Sequence, residues 1–229
     1  MKLAIMQPYF FPYIGYWQLI SAVDTFVVYD DVNYINKSYI NRNNILVDRQ
    51  KQRVTLELLG ASQNKLINEI EIGSNQKKLL KTLQTAYKKA PFFDDVYAVL
   101  ENILMQEEKN LAYFLAFLLK KVSLYLGMDT EFIYSSDIKK NSTLKAQEKI
   151  IDIAKILKAT NYINAIGGQA LYAKERFEQE GIALNFLKTT PLEYKQFTDV
   201  FVPNLSIIDV MMFNNKSEIT KILSKYELT

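Results

Sequence analysis

The stretch Lys2–Tyr29, KLAIMQPYFFPYIGYWQLISAVDTFVVY, decides the fold class. Lys2–Gln7 reads as a short apolar strand. Pro8 and Pro12 bar helix until the chain has passed Pro12, because proline lacks an amide donor and pushes its predecessor out of the helical region. From Tyr13 to Val23, the residues Ile14, Trp17, Ile20 and Ser21 recur at helical spacing. Thr25–Tyr29 (TFVVY) is β-branched and aromatic, as a second strand should be. Strand, loop, helix and strand in so short a span form a β-α-β unit, which implies parallel pairing through a right-handed crossover.

Outward from this unit, Asp30 to Asn44 is polar and aromatic without a period and reads as a long loop. Arg53–Leu59 alternates polar and apolar, and Leu66–Ile72 follows as a further strand, both suited to antiparallel pairing or an edge. Gln76–Lys89, Asp94–Gln106 and Asn110–Leu126 carry apolar residues at three- and four-residue spacing and are helical. Pro91 parts the first two, and Gly127 closes the third. The last third alternates again. Glu131–Tyr134 is a strand, and Ser142 or Thr143 caps a helix to about Lys158. Tyr162–Ala165 is a strand entering Gly167-Gly168, Gln169–Glu180 a helix, and Ile182–Phe186 a strand. Ser206–Phe213 and Lys216–Lys225 are helical. The fold expected is α/β: a Rossmann-like, mixed or mostly parallel sheet with a helical lobe from the middle of the chain. It is read as a single domain, 1–229, in which 1–72 and 128–229 form the core and 73–127 the lobe.

What is missing bounds the chemistry. Among 229 residues there is no cysteine, which excludes disulfides, thiolate nucleophiles and iron–sulfur ligation. There is no histidine, which excludes a Ser-His-Asp triad, His-ligated zinc and any imidazole relay. Chemistry must come from carboxylates, Tyr, Lys, Ser/Thr or backbone groups; no cofactor and no metal site is expected. The net charge of +3 is mild and the lysine pairs are scattered, unlike the clustered basic footprint of a nucleic-acid binder. No apolar run approaches the ~20 residues of a membrane helix, so no membrane insertion is expected. Met1–Gln7 reads as strand, with no basic leader or cleavage site, and a cytoplasmic location follows as the expectation.

Six segments are candidates for a site. The Gln7–Trp17 loop ends the first strand, where open α/β sheets bind ligands, and is stiff and aromatic; Gln7, Tyr9, Tyr13 and Tyr16 are its candidate contacts. Asp30, Asp31 and Tyr34 follow the second strand; one carboxylate there suits a hydroxyl, an amine or general-base work. Asn41, Arg42 and Asn43 place a guanidinium fork in a polar setting that suits phosphate. Ser135 and Ser136 offer hydroxyls at a strand end. Gly167 and Gly168, where a strand turns into a helix, allow close backbone approach to a ligand. Finally, Gln196 lies near Asp209, which sits in the apolar run Ile207–Phe213 and needs partners there. With no imidazole, Asp30 is the first candidate for a catalytic base and Asp209 the second.

Together these segments resemble the WbqC-like protein family. The likeness rests on QPYFFPYIGYW (7–17), DTFVVYDDVNY (24–34), INRNNI (40–45), AYKKAPFF (86–93), SSD (135–137), NYINAIGGQALY (161–172), FEQEGI (177–182), YKQ (194–196) and LSIIDVM (205–211), in family order. The chain departs from the pattern at Lys78-Leu79, where relatives carry a basic-His pair, and at Tyr39, where they carry Trp. The resemblance implies a place in bacterial surface-polysaccharide or modified-sugar biosynthesis. The activity it implies is an N-acyl or aminoacyl transferase forming an amide on a nucleotide-linked amino sugar, with a thioester donor of the kind an acyl carrier protein bears. The alternatives are a non-catalytic scaffold partner of polysaccharide assembly enzymes and a glycosyltransferase-like sugar-nucleotide enzyme. For the last, Asp30-Asp31 lacks the Asp-x-Asp spacing a metal-dependent glycosyltransferase would want.

Overall fold

The computed structural model describes residues 1–229. In chain order the elements begin with β1 (Lys2–Met6), α1 (Ile14–Ser21) and β2 (Thr25–Val28). An insertion follows: the hairpin β3 (Arg42–Val47) and β4 (Gln50–Thr55), the short pair β5 (Leu58–Leu59) and β6 (Glu71–Ile72), and helices α2 (Gln76–Tyr87), α3 (Phe93–Leu104) and α4 (Leu111–Tyr125). The chain then returns through β7 (Glu131–Tyr134), α5 (Ala146–Ile156), β8 (Asn161–Ala165), α6 (Lys174–Glu178) and β9 (Ala183–Thr189). It closes with α7 (Ile207–Phe213), α8 (Lys216–Leu223) and β10 (Tyr226–Leu228).

Six strands form one sheet in the order β10-β9-β8-β1-β2-β7. All neighbours are parallel except β10, which runs antiparallel to β9. Taken by chain order within the sheet, this is the doubly wound arrangement, and its direction reverses between β1 and β8, so ligands are expected beyond the carboxyl ends of the strands there.

The period of two along β1 and β2 sorts the core. Leu3, Ile5 and Val27 face a cluster of 13 buried residues that includes α5 and Phe177 of α6. Ala4, Phe26 and Val28 face a cluster of 47, which takes in Trp17 of α1, Leu80 of α2, Leu100 of α3, Leu115 of α4 and Met211 of α7. The helices of the middle segment therefore share the larger core with the sheet.

Several expected boundaries move. The loop read over Asp30–Asn44 ends early, because Arg42–Val47 is a strand paired residue for residue with Gln50–Thr55. Its Asn43 and Asn44 mask strand propensity but are buried. Asp48 and Arg49 both have positive φ at the tip, as a two-residue hairpin turn demands. Arg53–Leu59 breaks in two after Thr55, and Leu66–Ile72 is a 3-10 turn over Ile67–Glu69 followed by only two strand residues. Helix α5 starts at Ala146 with Lys145 in the capping position, so neither Ser142 nor Thr143 caps it. Gln169–Glu180 is not one helix: a 3-10 turn over Ile166–Leu171 precedes the five-residue α6. Strand β9 runs on to Thr189, and β10, short and largely exposed, has no sequence signal of its own.

Candidate functional site

Beyond β1 the chain crosses a rigid loop whose underside is tied down. Phe10 and Phe11 are buried, and Phe11 has φ 43°. Asn43 Nδ2 donates to both of their carbonyls, at 3.2 and 2.7 Å, and Ser206 Oγ donates to the Phe11 carbonyl at 2.8 Å. The Pro12 carbonyl accepts from Trp17 Nε1 at 2.9 Å. With its backbone so held, the loop presents Tyr9, Pro12 and Tyr13 to a cavity of ≈ 320 Å³, closed by Tyr39, Asn43 and Asn204.

A second cavity, of ≈ 590 Å³, lies on the other side of Tyr13 and Asn204, with Thr189, Glu193, Tyr194 and Phe201 among its walls. Tyr13 and Asn204 border both, so the two form one cleft over the first turn of α1 and the carboxyl end of β9. Gly15 is what lets these parts meet. A Cβ there would stand 2.5 Å from the Tyr13 ring and 2.6 Å from Thr189 Oγ1, closer than atoms tolerate.

Behind the wall of the larger cavity sits Asp209, fully buried. Its Oδ1 accepts from the Tyr194 hydroxyl at 2.7 Å and from Gln196 Nε2 at 2.8 Å, and its Oδ2 accepts from the Tyr87 hydroxyl at 2.9 Å. Burial raises the Asp209 carboxyl above its ordinary value, against the pull of these three donors. Burial and the adjoining carboxylate push the Tyr194 phenol upward as well. Asp209 does not itself border the cavity; Tyr194 does, and stands between the two.

The other sequence-derived candidates fall into three groups. Tyr9, Tyr13 and Asn43 line the cleft, and Gln196 sits behind its wall, donating to Asp209 Oδ1 at 2.8 Å beside the Tyr194 hydroxyl. A second group is structural in its contacts. Asp30 is fully buried and accepts from the Ser136 amide at 3.0 Å, Ser136 Oγ at 2.6 Å and Asn68 Nδ2 at 3.1 Å. It ties the end of β2 to the turn after β7 and borders neither of these two cavities. Tyr16 is buried and donates to the Gln7 carbonyl at 2.8 Å, so it belongs to the core and Gln7 contributes its backbone. Tyr34 donates to Asn41 Oδ1 at 3.0 Å, and Asn41 Nδ2 donates to the Leu56 carbonyl at 2.8 Å, fastening the start of the hairpin.

The third group lies elsewhere. Arg42 heads β3 with its Nε buried and unpartnered, and it takes part in none of the ion pairs. Ser135 is buried at the end of β7. Gly167 and Gly168 sit in the 3-10 turn after β8; open space surrounds Gly167, whereas a Cβ on Gly168 would press Asn164 Nδ2 at 2.8 Å. Neither glycine lines the cleft. No group of three or more acidic side chains is placed to hold a metal ion.

Asn204 and Tyr87 lie outside the six candidate segments, while Tyr194 and Tyr39 lie inside two of them without being singled out as contacts. Tyr194 had a signal, since it shares the Tyr194-Lys195-Gln196 run with Gln196. Tyr87 lies in the AYKKAPFF stretch, but nothing in the sequence pairs it with Asp209, 122 residues away.

The WbqC-like protein family model matches residues 7–221, a span that takes in the whole cleft. An uncharacterized protein of Mycobacterium tuberculosis is similar, at 27% identity over 222 residues, covering 95% of each chain. No solved structure gives a significant match.

Proposed function

The chain belongs to the WbqC-like protein family, and from that premise we propose that it is an N-acyl or aminoacyl transferase that forms an amide on a nucleotide-linked amino sugar. The observation that carries the reading is the Tyr194–Asp209 pair: a phenol in the wall of an aromatic cleft, hydrogen-bonded to a buried carboxylate 2.7 Å behind it. Amide formation from a thioester needs a neutral amine, and a sugar amine near neutral pH is mostly protonated. In a chain without histidine, a carboxylate whose proton affinity is raised by burial can fill the base role. Asp209 cannot touch the substrate, so the proton passes through Tyr194.

The step balances as follows. The amine enters the step neutral, its first proton having passed to solvent; its nitrogen attacks the thioester carbonyl and the C–N bond forms. The nitrogen loses a proton to the Tyr194 oxygen while the Tyr194 proton moves to Asp209 Oδ1. The C–S bond then breaks, and the departing sulfur recovers that proton by the reverse path and leaves as a thiol. Tyr9, Tyr13 and Tyr39 offer faces on which a sugar or base can stack, worth about 1–3 kcal/mol per base in comparable sites. Positioning the two reactants in the cleft supplies a further share of the rate.

The test is direct. Purified protein is incubated with a panel of nucleotide-linked amino sugars and an acyl thioester, and amide product is followed by mass. Product with native protein and little with Tyr194→Phe supports the reading. No product with any pair, from folded protein, defeats it.

A further inference from the structure

We propose that the pocket over the carboxyl ends of β2 and β7 is a binding site for a phosphate-bearing anion, built by Lys140 and Lys149 around Asp31. This cavity, of ≈ 430 Å³, is distinct from the aromatic cleft and shares none of its residues, so the inference does not depend on the transfer chemistry. Its volume lies in the range of small-molecule sites. It opens at the carboxyl edge of parallel strands, the side on which such sheets bind ligands.

Charge is what points to an anion. Lys140 Nζ lies 2.7 Å from Asp31 Oδ2, and Lys149 Nζ lies 3.4 Å from the same oxygen. The side chains of Lys140, Lys149 and Asp31 are only 7%, 16% and 17% exposed. Lys139 adds a third ammonium at the exposed rim; Asp31 and Asp137 stand in the wall, and the buried Asp30 carboxylate lies directly behind Ser136. Lys140 and Lys149, the two ammonium groups drawn out of water, share the single oxygen Asp31 Oδ2, and an anion arriving beside Lys149 would complete its pairing.

The hydrogen-bonding capacity agrees. An ammonium has three donors and no acceptor. Lys140 spends two, on Asp31 and on the Ser135 carbonyl. Lys149 touches Asp31 Oδ2 and the Asp31 carbonyl only at 3.4 Å, longer than a good hydrogen bond, and is steadied instead over the Tyr29 ring, 5.0 Å from its centroid. Its donors are therefore held in place yet weakly used. Ser142 brings a hydroxyl to the same wall. Several separate donors around one point suit the clustered oxygens of a phosphate better than the two oxygens of a carboxylate.

The test titrates the full chain by calorimetry with inorganic pyrophosphate, with acetate as the non-phosphate control. Two further arms use a nucleoside diphosphate and 4′-phosphopantetheine, and the tighter of these identifies the source of the phosphate. We expect saturable pyrophosphate binding that is weakened at least ten-fold in Lys149→Ala, lost in Lys149→Glu and largely kept in Lys149→Arg. Lys155→Ala, a lysine of the same helix paired instead with Glu180, should bind as the native chain does. Should Lys149→Ala fail to fold, Lys139→Glu at the exposed rim carries the same comparison. The proposal is overturned if no phosphate probe saturates, if acetate binds as tightly as pyrophosphate, or if the folded Lys149 variants all bind like native protein.

Discussion

The Tyr194 hydroxyl donates to Asp209 Oδ1 across 2.7 Å, and through this bond a carboxylate with no exposed surface meets the wall of a cleft. Tyr87 holds the other carboxylate oxygen from the opposite side at 2.9 Å and donates from a hydroxyl that also accepts the Leu46 amide at 3.0 Å. One buried charge thus ties α2, α7, the β3–β4 hairpin and the segment after β9 into a single polar network.

Removing the Tyr194 hydroxyl should separate chemistry from folding. Tyr194→Phe keeps the ring and leaves Asp209 with two donors, so stability should drop by about 1 kcal/mol. If the phenol carries the proton, amide formation should fall roughly 10²–10⁴-fold. Denaturant melts and product formation on the same preparation give both numbers; equal activity in the two proteins would remove Tyr194 from the mechanism.

Gly15 should tolerate no side chain. In Gly15→Ala the new methyl meets the Tyr13 ring and Thr189 Oγ1, and overpacking of this kind costs about 1–3 kcal/mol. The strain falls on Tyr13, which both halves of the cleft share, so ligand affinity should weaken along with thermal stability. An unchanged melting temperature would mean that Tyr13 swings aside freely.

Arg42 gives a contrasting case. Its Nε is buried without a partner, so Arg42→Met removes a desolvated polar atom while keeping a long apolar stem. The melting temperature should hold or rise. If Arg42 binds an anionic substrate, as its Asn-Arg-Asn setting suggests, affinity should fall at least ten-fold, and Arg42→Lys should recover only part of it for want of the bidentate fork. Unaltered affinity in both variants would exclude Arg42 from binding.

Two aspartates should show opposite pH dependence. Burial raises the carboxyl of Asp209, so the stability it lends is complete below its unfolded value and is lost as pH rises through its folded one. For Asp31, burial also pushes upward, but Lys140, Ser135 and Lys149 outweigh it and hold the carboxyl below the usual range. Its contribution is present above the unfolded value and lost as pH falls through the folded one. Denaturant unfolding between about pH 3 and 7 should therefore show the native advantage over Asp209→Asn shrinking with rising pH, and the advantage over Asp31→Asn growing. Slopes of the same sign would contradict this assignment.

How much was readable beforehand depended on how local each signal was. Strand β1, helix α1 and strand β2 announce themselves through apolar spacing and two prolines, and Glu131–Tyr134 is read with its boundaries intact. Hairpin β3–β4 was hidden because the strand opens with Arg42-Asn43-Asn44, polar residues whose burial is justified only by distant partners such as the Phe10 and Phe11 carbonyls. The same masking affected the site. Asp30 and Asp209 look alike as acids beside apolar runs, and both prove buried with three donors. What differs is the cavity behind each: Tyr194 links Asp209 to the aromatic cleft, whereas Ser136 links Asp30 to the pocket beyond β2 and β7.

By itself the sequence determined the β-α-β start, the mostly parallel character of the sheet, the helical middle and the exclusion of thiol and imidazole chemistry. These depend on periodicity and composition, which short stretches carry without help. The tertiary structure alone decided the rest: that Ser206 holds the Phe11 carbonyl from 195 residues away, that Tyr87 reaches Asp209 across 122, and that Ser136 holds Asp30 across 106. The reason is physical. A buried polar group must find a partner wherever packing brings one, and that choice is made by the fold as a whole, with no trace in the spacing of neighbouring residues.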